Sequence, residues 1–147
     1  MSKVTGYALD PTPDSDVFEK LGVAEKVQDL RGDVRDLAHI STALETSQPE
    51  VVLHLAAQSI VRTSFDQPLE TISTNALGTA NLLEACRSVS SLRSLLIVTS
   101  DKCYKNTGES TPFSEADPLG GNDLYSASKA CTEIISEAFR VSFFERN

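Results

Sequence analysis

Tyr125 and Lys129, in the run YSASK at 125–129, carry the strongest chemical signal in this sequence. On a helix, a spacing of four puts both side chains on one face. An ammonium beside a phenol stabilises the phenolate and lowers the tyrosine pKa. Such an oxygen can exchange a proton with an alcohol hydroxyl near neutral pH. The same spacing arises by chance on ordinary surface helices. The pair gains weight from an upstream apolar run that ends in Thr99, Ser100, Asp101 and Lys102, a second polar cluster.

Three further motifs stand where chemistry or close packing would need them. In LHLAAQ at 53–58 an apolar run gives way to the small residues Ala56 and Ala57, which let a ligand approach the backbone or let a strand turn tightly into a helix. His54 lies inside the apolar run and reads as a packed core histidine. In GDVRD at 32–36 the Asp33 carboxylate could accept a hydrogen bond from an adenine amino group, while Asp36 reads as a helix N-cap. In TNALGT at 74–79 polar side chains sit inside a helical pattern. Asn75 is suited to bridging helix and strand backbones, and Gly78 to close packing.

The elements that must hold these residues follow from periodicity. VTGYAL at 4–9 reads as the tail of a strand, followed by a turn-rich loop. Asp14 or Ser15 is positioned to cap a short helix that Gly22 ends, and 25–31 as a strand. Leu37, Ile40 and Leu44 have helical spacing after Asp36, with Pro49 as the stop. The runs 51–55 and 95–98 are short and almost wholly apolar, as buried parallel strands are. A long helix is expected over 68–88, with Ile72, Leu77, Leu82 and Leu83 as its apolar stripe. A loop at 106–122 and a helix over 125–144 complete the order. Strands alternating with crossover-length helices predict an α/β fold, a parallel sheet covered on both faces. Ligands of such sheets lie outside the carboxyl ends of the strands, which picks out Asp33, Ala56–Ala57 and Ser100–Lys102.

Composition narrows the function classes. The chain has 147 residues, 40% hydrophobic and 23% charged, enough for one domain with a core. A formal net charge of −8 argues against holding nucleic-acid phosphates, which need Lys and Arg. No apolar run approaches a membrane span, and no secretory leader is read at the start, so a cytoplasmic location is expected. Three cysteines without a CxxC pair and two isolated histidines give neither a disulfide framework nor a metal site.

Taken together and in this order, GDVRD, HLAA, TNALGT, TSD and YSASK resemble the nucleotide-sugar branch of the extended short-chain dehydrogenase/reductase family, over 4–144. Within that branch, TSDKCY at 99–104, VTGYALDP at 4–11 and AAQ at 56–58 look like the CDP-glucose 4,6-dehydratases; other dehydratases of the branch usually have Asp-Glu where Asp101-Lys102 stands. The resemblance implies a Rossmann-like doubly wound sheet over 1–147, a partial NAD(P)-binding domain. The family's first strand and glycine-rich turn, and its later sugar-binding domain, are expected to lie outside this sequence.

The resemblance also implies a lyase that uses tightly bound NAD as a recycled hydride carrier and CDP-glucose as substrate. Tyr125 would take the proton of the sugar 4-hydroxyl, with Lys129 tuning it and holding the nicotinamide ribose. Ser100 would support the developing keto oxygen and Asp101 would protonate the departing 6-hydroxyl. Lys102 stands where relatives place a glutamate base, and would have to be neutral to act as one. Asp33 and Val34 would lie near the adenine, Leu55, Ala56 and Ala57 along the dinucleotide, and Thr74 and Thr99 would complete the pocket. A homodimer through the helices around 71–87 and 125–144 is implied as well. Two alternatives stand beside this reading: a non-catalytic, self-associating remnant, and a related epimerase, which Asp101-Lys102 argues against. Little turnover is expected from this chain alone.

Overall fold

The described residues form four short strands, two of them in apolar runs: β1 (Thr5–Ala8), β2 (Gln28–Arg31), β3 (Val51–His54) and β4 (Ser94–Ile97). In the computed structural model, which describes residues 3–11, 16–108 and 111–145, they form two parallel ladders. β1 pairs with β2, Thr5 opposite Gln28 and Ala8 opposite Arg31. β3 pairs with β4, Val51 opposite Ser94 and His54 opposite Ile97. Parallel pairing needs long crossovers. Those here are α1 (Asp16–Lys20) between β1 and β2, and a chain of α3 (Val61–Asp66), α4 (Pro68–Ile72) and α5 (Gly78–Cys86) between β3 and β4, while α2 (Leu37–Ser47) links the two ladders. The last helix, α6 (Leu124–Phe139), follows β4.

One core underlies both ladders. Val34, Ile40, Leu44, Leu82, Cys86 and Val89 are buried together, and Tyr7 of β1, Val52 of β3 and Leu95 of β4 pack against them. Each buried leucine of that set contributes roughly 1.5–3 kcal/mol. α2 begins as expected: the Asp36 carboxylate accepts the His39 amide at 3.0 Å. It ends at Gln48, whose amide donates to the Leu44 carbonyl from a left-handed conformation.

Several expectations need correction. The strand placed at 25–31 starts only at Gln28, because Val23–Glu25 winds into a 3₁₀ turn behind Gly22. The apolar runs are shorter than expected, His54 and Ile97 being the last strand residues. They are also not buried on both faces. Among the described residues helices cover one face only, and Val51, Leu53 and Leu96 remain more than half exposed. The helix expected over 68–88 is α4, a π turn (Ser73–Leu77) and α5. The π turn holds one residue more than an α turn and shifts the phase of the helix. Leu82 and Leu83 are therefore buried, whereas Ile72 and Leu77 face outward. α3 had no sequence signal; Ile60 precedes it in extended backbone without a side-chain cap. The helix expected over 125–144 is α6 followed by a second π turn, Arg140–Phe144. The cap assigned to Asp14 or Ser15 lies outside the described residues.

Candidate active site

The ends of three strands meet on two helices. After β2, the Val34 and Arg35 carbonyls accept hydrogen bonds from the Asn81 amide nitrogen at 3.1 and 3.0 Å. Beside them Gly78 has no room for a side chain: a Cβ there would lie 2.7 Å from Val34 Cγ2. After β3, the Gln58 backbone is bracketed by Asn75. The Gln58 N–H donates to Asn75 Oδ1 at 2.8 Å, and Asn75 Nδ2 donates to the Gln58 carbonyl at 3.0 Å. Thus residues 75–81, about two turns, hold the ends of β2 and β3 together. The bridging of helix and strand backbones expected of Asn75 is realised, as is the close packing at Gly78.

The same asparagine reaches α6. Asn75 Nδ2 donates to Ser128 Oγ at 2.8 Å, and Ser128 in turn donates to the Tyr125 carbonyl at 2.7 Å. The Asn75 carbonyl accepts the hydroxyls of Thr79 at 2.6 Å and Thr132 at 3.1 Å. Thr79 continues to His54, whose Nε2 lies 3.1 Å from its hydroxyl. His54 is a packed core histidine; burial, with the nearby Lys129 charge, pushes its pKa down to about 4. Every member of this seam is buried, and buried polar groups left unpaired cost about 1–3 kcal/mol each. Fully paired, the seam fixes α6 against the π turn.

On that helix Tyr125 and Lys129 are both buried, 8% and 5% exposed, which separates them from a chance surface pair. Lys129 Nζ donates to the Val98 carbonyl at 3.2 Å, just past β4. Burial holds its pKa below the usual lysine range, against the opposing pull of Glu133. α6 starts at Asp123, whose carboxylate accepts the Ser126 amide at 2.9 Å and hydroxyl at 2.7 Å. Desolvation raises the Asp123 pKa. The hydrogen bonds from Ser126 and the positive charge of Lys102 outweigh that and leave it low. Lys102 therefore lies within electrostatic reach of the cap two residues before Tyr125.

The polar cluster after β4 forms a 3₁₀ turn, Asp101–Cys103, packed on α6. Ser100 caps this turn. Its hydroxyl accepts the Lys102 amide at 3.2 Å and donates to Asp101 Oδ1 at 3.0 Å. Asp101 and Lys102 are exposed. The Thr99 hydroxyl donates to Glu133, one helical turn beyond Lys129.

The structure thus gathers Tyr125, Lys129, Ser100, Asp101 and Lys102 where β4 meets α6. The other candidates lie along the remaining strand ends. Leu55 is 69% exposed, and Ala56, Ala57 and Thr74 are half-buried. Val34 is buried in the core. Asp33 is half-buried, its carboxylate gripped by Arg35 through Nε at 2.9 Å and the backbone amide at 2.8 Å. The Arg35 hydrogen bonds hold the Asp33 pKa low despite desolvation. Sequence reading missed Asn81, Asp123 and Glu133. Only Asp123 had a local signal, a capping residue directly before a helical run.

The sequence model of the GDP-mannose 4,6 dehydratase family matches residues 13–144. The chain belongs to that family. A CDP-glucose 4,6-dehydratase of Salmonella typhimurium is 42% identical over 96% of this chain and 39% of its own length. A dTDP-glucose 4,6-dehydratase of Xanthomonas campestris is 36% identical over 78% of this chain and 35% of its own. The chain therefore spans well under half the length of these family members. Among solved structures, a UDP-glucose 4-epimerase of Thermus thermophilus in complex with NAD matches 82% of this chain and 39% of its own, with TM-score 0.73 and 31% identity. A dTDP-glucose 4,6-dehydratase of Streptomyces venezuelae superposes over 98% of this chain and 44% of its own with TM-score 0.82; at 22% identity it speaks to the fold alone. The family fold is the Rossmann-like α/β arrangement seen here, with parallel strands in a partial domain.

Proposed function

We propose that this chain is the catalytic part of a nucleotide-sugar 4,6-dehydratase that acts on CDP-glucose with NAD. The observation that carries the reading is the buried Tyr125–Lys129 pair on α6, joined to the end of β4 beside an Asp101–Lys102 turn. The 42% identity to the Salmonella CDP-glucose 4,6-dehydratase supports the substrate class. Over 1–147 the chain would be a partial NAD(P)-binding domain.

The residues present fit a dinucleotide at its two ends. Asp33 offers carboxylate acceptors at the end of β2, where with Val34 it would border an adenine. Leu55, with Ala56 and Ala57, offers an exposed apolar ledge at the end of β3. Thr74 and Thr99 would border it, and the buried Lys129 would hold the nicotinamide ribose. When bound, NAD supplies a hydride acceptor at the sugar C4 and the donor that returns the hydride to C6.

The rest falls to the side chains. Tyr125 takes the proton of the 4-hydroxyl, its phenolate stabilised by Lys129. Ser100, already capping the turn, orients Asp101 and can donate to the developing keto oxygen. Asp101, exposed, delivers a proton to the leaving 6-hydroxyl. Lys102, in its neutral form, would take the C5 proton. A homodimer through α4–α5 and α6 is part of the proposal; exposed Leu69, Leu77 and Ile134 on those helices support it. No helix among the described residues is long and apolar enough to cross a membrane. Three free thiols suit a reducing cytoplasm.

The test replaces the matching segment of the Salmonella enzyme with this sequence and assays CDP-glucose dehydration and NAD binding. Turnover by the chimera, lost by about 10²-fold or more in Tyr125→Phe with NAD binding retained, is the expected result. A chimera that folds and binds NAD but turns over equally well as Tyr125→Phe refutes the assignment.

A further inference from the structure

Glu133 has no role in the reading above, yet it sits at the junction that holds Lys129. Val98 and Thr99 are consecutive residues at the end of β4. The Val98 carbonyl accepts from Lys129 Nζ at 3.2 Å, and the Thr99 hydroxyl donates to the Glu133 carboxylate. Lys129 and Glu133 are four apart on α6, so their side chains lie one above the other on the face toward β4. An ammonium and a carboxylate on one helix therefore grip adjacent residues just past one strand. We infer that Glu133 is a positioning residue: anchored by the Thr99 hydroxyl, its carboxylate keeps the buried Lys129 ammonium charged and pinned to the strand end beside Tyr125.

The charges around Lys129 leave Glu133 as the counter-charge. Lys129 is 5% exposed, and a buried ammonium without an opposing charge gives up its proton readily. From β3 it faces His54, which burial keeps neutral and whose pKa the lysine charge lowers further. From the 3₁₀ turn Cys103 faces the same region; burial, then Glu133, then Asp101 push that thiol up, so it stays protonated and supplies no negative charge. Tyr125 lies one turn earlier on the same helix. Among the described residues Glu133 is the charge that opposes the desolvation of Lys129. The arrangement also accounts for Thr99, whose hydroxyl turns to Glu133 and not to the ledge at the strand ends. The role of Lys129 in proton transfer rests on the dehydratase reading. The placement of Glu133 does not.

The test titrates the lysines of this chain by NMR with isotope-labelled lysine, without NAD or sugar, so it can fail while the dehydratase reading stands and the reverse. The Lys129 signal is identified by its loss in Lys129→Arg. Glu133→Gln keeps the size and the acceptor for Thr99 and removes the charge. We expect its Lys129 acid dissociation constant to rise about tenfold, with the exposed lysines 26, 102 and 105 unmoved. Thr99→Val, which frees the carboxylate without deleting it, is expected to give a shift of the same sign and about threefold. An unchanged Lys129 midpoint in folded Glu133→Gln overturns the inference. If that variant does not fold, an unchanged midpoint in Thr99→Val overturns it.

Discussion

The two strand pairs end in different ways. The β3–β4 pair ends in a seam of buried side chains, Asn75, Ser128, Thr132, Thr79 and His54, joined by hydrogen bonds across the π turn, α5, α6 and β3. The β1–β2 pair ends in half-buried groups. There the Tyr7 hydroxyl donates to the Asp33 carbonyl at 3.1 Å, its ring meets His39 edge-on, and Arg31 lies 4.5 Å over the Phe18 ring. The first arrangement is buried and fully paired, which restrains its side chains as a proton-transferring pair needs. The second leaves side chains half exposed, which suits recognition of a ligand's far end. The difference in burial should appear as a difference in the cost of breaking each end.

The largest cost is expected at the seam. Asn75→Ala strips partners from both Gln58 backbone groups and from Ser128, and is expected to destabilise the chain by about 3–4 kcal/mol in urea unfolding. A loss under 1 kcal/mol would mean that the seam is not what joins α6 to β3. His54 probes the same seam by pH. Its folded pKa, about 4, lies below the unfolded value near 6.5, so the folded state prefers the neutral ring. That contribution is fully present above the unfolded pKa and disappears as pH falls from about 6.5 to about 4, amounting to about 3 kcal/mol. In His54→Gln the loss over this window should vanish; a slope equal to the wild type would point to another group.

The open end should cost less. A Cβ on Gly32 would fall 2.3 Å from the Tyr7 hydroxyl. The ring of Tyr7 can swing toward solvent, so Gly32→Ala is expected to cost about 2 kcal/mol and to free the Asp33 carbonyl. A Tyr7→Phe background should make the two effects non-additive. The smallest change is Asp36→Ala, which removes the cap bond to His39 and should lower stability by about 1 kcal/mol. If it cost as much as Asn75→Ala, the contrast between the two ends would be false.

How far the sequence disclosed all this depended on how local each cause was. The cap at Asp36, the close approach at Gly78 and the bridge through Asn75 follow from residue type and position in a pattern. The Tyr125–Lys129 pair was visible from its spacing, and its burial confirms that the two share a face turned inward. What the sequence did not disclose depends on partners distant in the chain. Glu133 reads as one acidic residue on an acidic helix until Thr99, 34 positions earlier, is laid against it. Asn81 is equally silent without the turn after β2, 46 and 47 positions away. The exposed outer faces of β3 and β4 escaped because a continuous apolar run looks the same whether one face or two are covered.

The π turn at Ser73–Leu77 makes the length of this segment matter more than the length of an ordinary helix does. Substitutions alter what a helix touches; removing a single residue from this turn would alter which way everything after it points. Reverting five residues to an α turn rotates α5 by about 100° about its axis. Leu82 and Leu83 would leave the core, and Gly78 would no longer face Val34. Within these five positions a one-residue deletion is an angular change and not a shortening, so it would displace all of α5, where a substitution such as Asn75→Ala breaks only the contacts of its own side chain.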